Sequence, residues 1–413
     1  MRGRPVDRPS PAQHDTVNDL IVVINAGSAT VKFALYAVCD NGTAARLFNR
    51  GSAEFNAAGA RFNVVDEHNA IVVNESIPTG SGQALDIHVL LDHMLHWLKT
   101  FASESIVALG HRVVHGGDAF SEPILLTDAI LLQLETYVAL APLHQPFNLA
   151  AIRAIRKLWP DIPQVACFDT AFHQTQPRVA RMFGLPLEYF DQGVKRYGFH
   201  GLSYEFIASA LPEYLGELSD GRVIVAHLGS GASLCAMQRR RSVATTMGFT
   251  ALDGLLMGTR CGNIDPGVIL YLMNEKKLNS QQVTELLYRR SGLLGVSGIS
   301  ADMRGLLASD SERAAEAIEL FVYGAARQLG GLIATLGGLD ALIFTGGIGT
   351  HSAPIRQRIC ALSQWAGIKL KQASNTIHGP RISADESPVS VWVIPTDEER
   401  IIAGHTLKLI GGA

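Results

Sequence analysis

The stretch Leu20-Ile21-Val22-Val23-Ile24-Asn25-Ala26-Gly27-Ser28, continuing into Val31–Val38, reads as a strand, a tight polar turn and a second strand. Much later the same pattern returns as Val223–Leu228, the turn Gly229-Ser230-Gly231-Ala232-Ser233 and the strand Leu234–Met237. One such unit opening each half of the chain points to a duplicated domain whose two turns face a common cleft. Two unrelated hairpins are the competing reading, because Gly-rich hairpins recur by chance.

Outward from these units, helices and strands alternate. Asp86–Phe101 places Ile87, Leu90, Leu91, Met94, Leu95 and Leu98 on one helical face. Phe147–Trp159 is helical up to Pro160, and Asp265–Met273, Gln281–Arg290 and Glu312–Leu336 follow in the second half. Ile106–Leu109, Gln164–Phe168, Ala341–Phe344 and Val389–Ile394 read as short strands. The alternation predicts an α/β protein with mixed sheets. Ligands in such folds sit at polar loops where strands end.

Of the 413 residues, 47% are hydrophobic and 18% charged, and 35 Lys and Arg against 38 Asp and Glu leave a net charge of −3. That is enough apolar surface to exclude disorder over most of the length, and too little positive charge for a typical nucleic-acid binder. The 5 cysteines are odd in number, widely spaced and free of Cys-x-x-Cys pairs, so reduced thiols are expected rather than disulfides or zinc. No run of about 18 apolar residues offers a membrane span. Met1–Asp19 is polar, contains Pro5, Pro9 and Pro11, and lacks the apolar centre of a signal peptide. We read it as a disordered extension, with the cytoplasm as the expected compartment.

Three glycine-rich turns follow strands, and glycine lets backbone N–H groups approach a phosphate closely. The first, Gly27 to Lys32, lacks a second glycine and runs into a strand, so it is not a P-loop, and no Gly-x-Gly-x-x-Gly supports a dinucleotide. Lys32 either lies at a sheet edge or reaches a phosphate. Arg112, in Gly110-His111-Arg112-Val113-Val114-His115-Gly116-Gly117, and Arg260, in a loop of small residues, have no acid four positions away on a helix. Bidentate capture of carboxylate or phosphate suits both; a tie to backbone carbonyls is the alternative. His111 and His115 have metal-like spacing without a helix to align them. His200 stands between glycines, as hydrogen-bonder or as catalyst. Asp169 and the pair Glu398-Glu399 follow strands, where they either bind Mg2+ through oxygen or serve as a helix cap and first-turn acids.

Read together, Asn25–Phe33, Gly110–Gly117, Pro142–Asn148, Cys167–His173, Arg196–Ser203, His227–Ser233, Thr245–Pro266, Phe344–Gly349 and Thr396–Ala403 resemble the acetokinase family of the acetate and sugar kinase/actin superfamily. Tyr197–Ser203 and Met247–Pro266 are the most specific of them. The resemblance implies two similar domains of the actin-like ATPase/ribonuclease-H-like type with a cleft between them. The first would be residues 20–170 with helix 398–413 packing back on it, and the second, nucleotide-binding, residues 171–397. It also implies a homodimer with ATP/ADP as co-substrate and Mg2+, or Mn2+ in its place, that reversibly phosphorylates acetate to acetyl phosphate.

Carried onto this chain, the resemblance makes Arg112, Asp169, His200 and Arg260 catalytic, and assigns Asn25 and Glu398 to Mg2+. Lys32 would meet a phosphate of ATP, and His227, Gly229, Ser230, Gly231, Ala232 and Ser233, Asp302, Met303 and Arg304, and Gly347, Ile348, Gly349, Thr350 and His351 would surround its phosphates and adenosine. Arg112, Val114, Leu143, Phe199 and Ala251 would hold acetate. Three positions depart from the family pattern: Ala29 for a serine, Ala251 for a common proline, and Thr350-His351 for Glu-Asn. The rival readings are a propionate or short-chain acyl kinase and a non-catalytic actin-like nucleotide-dependent assembly protein. A dehydrogenase is disfavoured by the missing dinucleotide turn.

Overall fold

The computed structural model describes residues 19–27, 30–39, 42, 44–56, 59–77, 87–102 and 105–411. The expected N-terminal extension, apart from Asp19, and the Ala29 departure lie outside the described residues. An eight-stranded sheet comprises β1 (Leu20–Ala26), β2 (Thr30–Cys39), β3 (Ala44–Asn56), β4 (Gly59–Asp66), β5 (Ile71–Ile77), β6 (Ile106–Val113), β7 (Ile124–Leu125) and β8 (Gln164–Phe168), in the order β5-β4-β3-β2-β1-β6-β8-β7. A five-stranded sheet comprises β9 (Arg222–Leu228), β10 (Ala232–Gln238), β11 (Arg241–Thr245), β12 (Ala341–Thr345) and β13 (Ser390–Val393), in the order β11-β10-β9-β12-β13. In each, the opening strand pairs antiparallel with the next strand and parallel with a later one: β1 with β2 and β6, β9 with β10 and β12. The recurrence seen in the sequence is therefore a recurrence of topology.

Both sheets are covered on both faces, which is why their central strands lack polar alternation. Val22, Ile24, Phe33 and Leu35 pack under helix Ile87–Ala102, while Ile21, Val23, Ala34 and Tyr36 meet the C-terminal helix Glu398–Gly411. In the second sheet Ile224, Ala226, Leu342 and Phe344 share a core with helix Glu312–Leu336, and Val223, Val225, Ala341 and Ile343 share one with helix Gly201–Leu215. Each such side chain contributes about 1.5–3 kcal/mol when fully buried. The C-terminal helix presses close to β6: a Cβ at Gly110 would lie 2.5 Å from the Ile402 Cγ2 atom, so only glycine fits.

Three readings need correction. Strands β3 to β5 went unread; β5, at least, is an edge strand with Ile71 and Val72 exposed, so no apolar face declares it. Ala232 and Ser233 belong to β10, paired with Leu228 and His227, and the turn is only Gly229-Ser230-Gly231. Two segments expected around the nucleotide are not the open loops that glycine-rich turns suggest: Asp302 caps helix Met303–Leu307, and Gly346–His351 is a helix following β12 directly.

His111 and His115 share no metal site. His111 Nε2 meets Gln164 Oε1 at 2.8 Å, and His115 Nδ1 accepts the Gly117 N–H. Burial lowers the pKa of His111, His115 and His173 to about 4. The unfolded value is about 6.5, so between about pH 6.5 and pH 4 the unfolded chain binds more protons. Stability is complete above that window and falls with pH inside it, by up to about 1.4 kcal/mol per unit for each histidine. The melting temperature should thus drop steeply from pH 7 to pH 5 (about two units) in a calorimetric series; a flat profile would contradict the neutral, buried state.

Candidate active site

A cleft of about 560 Å³ lies where strand ends from the two sheets converge. From the first sheet come Asn25 on β1, Lys32 on β2, Arg112 on β6 and Asp169 just after β8. From the second come His227 on β9, the turn Gly229-Ser230-Gly231, and Gly346-Gly347 after β12. Glu398 starts the C-terminal helix, and Arg260 and Ala251 enter from the loops after β11. Gly346 has φ +74°, and a Cβ there would lie 2.7 Å from the Leu228 carbonyl oxygen. The abrupt strand-to-helix turn that points backbone N–H groups at the cleft therefore requires glycine.

Arg112 is the centre of a polar network. Its Nε donates to both Asp169 oxygens at 3.0 and 3.1 Å, its Nη2 to Asp169 Oδ2 at 2.5 Å, and its Nη1 to Asn25 Oδ1 at 3.1 Å. Glu398 Oε2 stands 3.9 Å from its Nε. A guanidinium has five N–H groups. These contacts use one on each nitrogen and leave one on each terminal nitrogen, a fork suited to a carboxylate. Asp169, at 1% exposure, caps no helix; its carboxylate is paired with the Arg112 guanidinium. Arg260 donates from Nη1 to the Ala251 carbonyl at 2.7 Å, and no carboxylate pairs with it among the described residues. Burial, with Arg112 nearby, lowers its pKa. The structure thus joins both sequence alternatives, a backbone tie and unspent donors facing a cleft.

His200 has left-handed backbone (φ 59°) at the start of helix Gly201–Leu215. Its Nδ1 lies 2.9 Å from Ser233 Oγ, which lies 2.5 Å from the Tyr204 hydroxyl, and its ring stacks on His227 at 4.3 Å. Burial, then the charges of His227 and the two arginines, pushes its pKa well down, so the ring is neutral. If Tyr204 donates to Ser233 and Ser233 to Nδ1, the hydrogen of the neutral ring sits on Nε2. Ser233 acts here as a relay behind the wall rather than as a cleft residue. Burial pushes Glu398 up to about 7; Arg112 opposes this, and Asp169 and Glu399 reinforce it.

A second cavity, of about 670 Å³, shares Gly229, Ser230 and Gly347 with the first and adds Asp302, Met303, Arg304, Ile348 and His351. Gly349 and Thr350 are buried and line neither cavity. The reason is Arg356, which sequence reading missed. Fully buried, it donates from Nη1 to the Gly349 and Thr350 carbonyls, both at 2.8 Å, and from Nε to Asn375 Oδ1 at 2.9 Å. Among the described residues no carboxylate pairs with it. It satisfies the last carbonyls of the helix carrying Gly347 and Ile348. Arg356→Ala leaves those carbonyls without donors, at about 1–3 kcal/mol each. We expect a loss of several kcal/mol on that scale, together with a rise in KM for the nucleotide and little change in KM for the second substrate; equal rises would make Arg356 merely structural.

Val114, Phe199 and Ala251 form the apolar wall of the cleft, but Leu143 does not line it. Its neighbour His144 does instead, with a pKa lowered to about 3 by burial and by Arg260 and Arg112. Thr396 and Glu399 also face the cleft. The arrangement sets two arginines and an apolar wall around one cleft, which suits anions with an apolar end.

Solved structures similar to this one include two kinases. The propionate kinase of Francisella tularensis superposes with a TM-score of 0.85 at 35% identity, covering 94% of this chain and 99% of that one. The acetate kinase of Porphyromonas gingivalis gives 0.81 at 35% identity, covering 95% and 100%. The fold is therefore that of the acetate and propionate kinases, of the actin-like ATPase type. An acetate kinase of Rhodopseudomonas palustris is 52% identical over 400 residues, covering 96% of this chain and all of the relative, and one of Rickettsia typhi is 40% identical over 394. The acetokinase family model matches residues 20–404, and the chain belongs to that family.

Proposed function

We propose that the protein is an acetate kinase, transferring the γ-phosphoryl group of ATP directly to acetate and catalysing the reverse reaction. The observation that carries this reading is the pair Arg112 and Arg260 facing one cleft beside the wall of Val114, Phe199 and Ala251. Acetate is ionised at neutral pH, so its attack needs no general base; it needs alignment and neutralisation of charge on the phosphoryl oxygens. The carboxylate rests on the free fork of Arg112. One of its oxygens bonds to phosphorus as the bond from phosphorus to the bridging oxygen breaks, and that oxygen leaves on ADP. Arg260 and the His200 Nε2–H face the equatorial oxygens. Lys32 and the N–H groups of Gly229–Gly231 and Gly347 hold the other phosphates. Asp169 is a positioning residue, fixing Arg112. Met303, Ile348 and His351 border the nucleoside.

Mg2+, or Mn2+, fits the oxygen donors Asn25 and Glu398, which would hold it with phosphate oxygens and water. Glu398, buried beside Asp169 and Glu399, concentrates negative charge that a divalent ion offsets. Bound there, the ion would neutralise charge on the β- and γ-phosphates. The proposed compartment is the cytoplasm, in keeping with the free cysteines; no described helix is long and apolar enough to cross a membrane.

The test is acyl phosphate trapping: acetate, MgATP and hydroxylamine should yield acetohydroxamate, and none would form if the protein only binds nucleotide. Ala251 in the wall, and the likeness to a propionate kinase, favour propionate as a second substrate. A buried methylene is worth only about 1–3 kcal/mol, so propionate should show the lower kcat/KM. The reverse order would make the protein a propionate kinase.

The two sheets are proposed as two domains, residues 20–170 with 398–413 and residues 171–397, and the molecule as a homodimer. Helix Pro266–Asn274 supports the dimer: Val268, Leu270, Tyr271 and Met273 are exposed, and none of its residues is buried. Small-angle scattering should give the mass of a dimer, compaction on adding MgATP and acetate, and a monomer for Leu270→Glu. A monomeric wild type would remove this face as the interface.

A further inference from the structure

The hairpin from β10 to β11 turns on Arg239 and Arg240, both left-handed, with φ 51° and 58°, between the paired residues Gln238 and Arg241. A two-residue turn of this hand favours Asn-Gly or Asp-Gly, because a Cβ is crowded at both positions. Two arginines in that conformation store strain, and strain kept at an exposed turn directs attention to what the side chains meet.

Arg240 and Arg241 border a cavity of about 600 Å³ that shares no residue with the catalytic cleft. Its apolar lining includes Phe168, Phe172 and Leu202, and Lys408 of the C-terminal helix adds a third cation. Among the described residues neither Arg241 nor Lys408 has an ion pair or a side-chain hydrogen bond. Arg240 gives its Nε to Asp220 at 2.8 Å, which leaves its terminal nitrogens. Of the two acids on the lining, Glu205 is engaged by His405 at 2.7 Å and Glu122 remains.

We propose that this cavity is a second ligand site, for a small anion with an apolar body. Arg241, Lys408 and Arg240 grip a phosphate, sulfonate or carboxylate head, and the partly buried Phe172 and Leu409 receive the apolar part, with Phe168 and Leu202 completing the lining. Phe168 directly precedes Asp169, and Leu202 lies two residues after His200. The hairpin belongs to the second sheet, whereas Phe168 belongs to the first and Lys408 to the helix packed on it. An occupant therefore bridges both sheets behind the catalytic residues, and it changes turnover without competing with either substrate. The site stands on its own geometry, independent of the reaction assigned to the cleft.

The probe is anilinonaphthalene sulfonate, titrated by fluorescence into the full chain with the cleft filled by saturating MgADP and acetate. Binding should be saturable, and Arg241→Ser with Lys408→Gln should weaken it at least ten-fold while the uncharged phenylnaphthylamine binds both proteins alike. Turnover of the wild type should shift on adding the sulfonate, and that shift should vanish in the double variant, whose turnover without probe is unchanged. Unaltered sulfonate affinity in the double variant, or displacement of the probe by nucleotide, overturns the proposal. Arg239→Asn with Arg240→Gly relaxes the turn, so it should melt higher and bind the sulfonate less tightly; a lower melting point would remove the argument from strain.

Discussion

Arg112→Ala should lower turnover by on the order of 10³-fold or more in the hydroxamate assay, equivalent to about 4 kcal/mol of transition-state stabilisation. The fork that meets the carboxylate disappears, and Arg260, held at the Ala251 carbonyl, keeps its own place at the phosphoryl oxygens rather than supplying that fork. The substitution also leaves Asp169 buried without its cation and close to Glu398. Breaking a buried pair from one side typically destabilises by about 3–5 kcal/mol, so the melting temperature must be read alongside the rate. Arg112→Lys separates the two effects. It restores a charge for Asp169 and most of the stability, but a point charge cannot make the paired contacts, so turnover should remain low. An alanine variant as active as wild type would take Arg112 out of the reaction.

Asp169→Asn is expected to cost on the order of 10²- to 10³-fold in kcat, with the shape of the pH–rate profile preserved. The amide keeps the size of the side chain but gives up the charge that fixes Arg112 through Nε and Nη2. No proton leaves acetate on the way to acetyl phosphate, so a positioning role removes rate without removing an ionisation. If the variant instead lost an acidic limb present in wild type, Asp169 would be a proton acceptor and the account above would fail.

The strands and charges that could be read from the sequence have a physical property in common. The central stretches of β1, β2, β9 and β10 are buried and announce themselves as largely apolar runs, whereas β5 at the sheet edge carries Asn74, Glu75 and Ser76 and resembles a surface segment. Arg112 and Arg260 stood out because small residues surround them and no local acid explains them. Arg356 lies on helix Ala353–Leu362 in a setting typical of a solvated face, and its partner Asn375 is 19 residues away. Leu143 came only from the resemblance, and the cleft receives its polar neighbour His144 instead. Spacing could not show that Gly349 and Thr350 point inward, because the turn that opens at Gly346 winds straight into a helix.

Residues 398–411 reach the ribosome exit after every other described part of the chain, yet Ile402, Ala403 and Leu407 cover one face of the first sheet. A nascent polypeptide ending before Glu398 would present Ile21, Val23 and Ala108 to solvent as a sticky surface and would lack a cleft carboxylate. Such a chain is a natural client for chaperones, and a stop codon in this last stretch would abolish activity and provoke aggregation together.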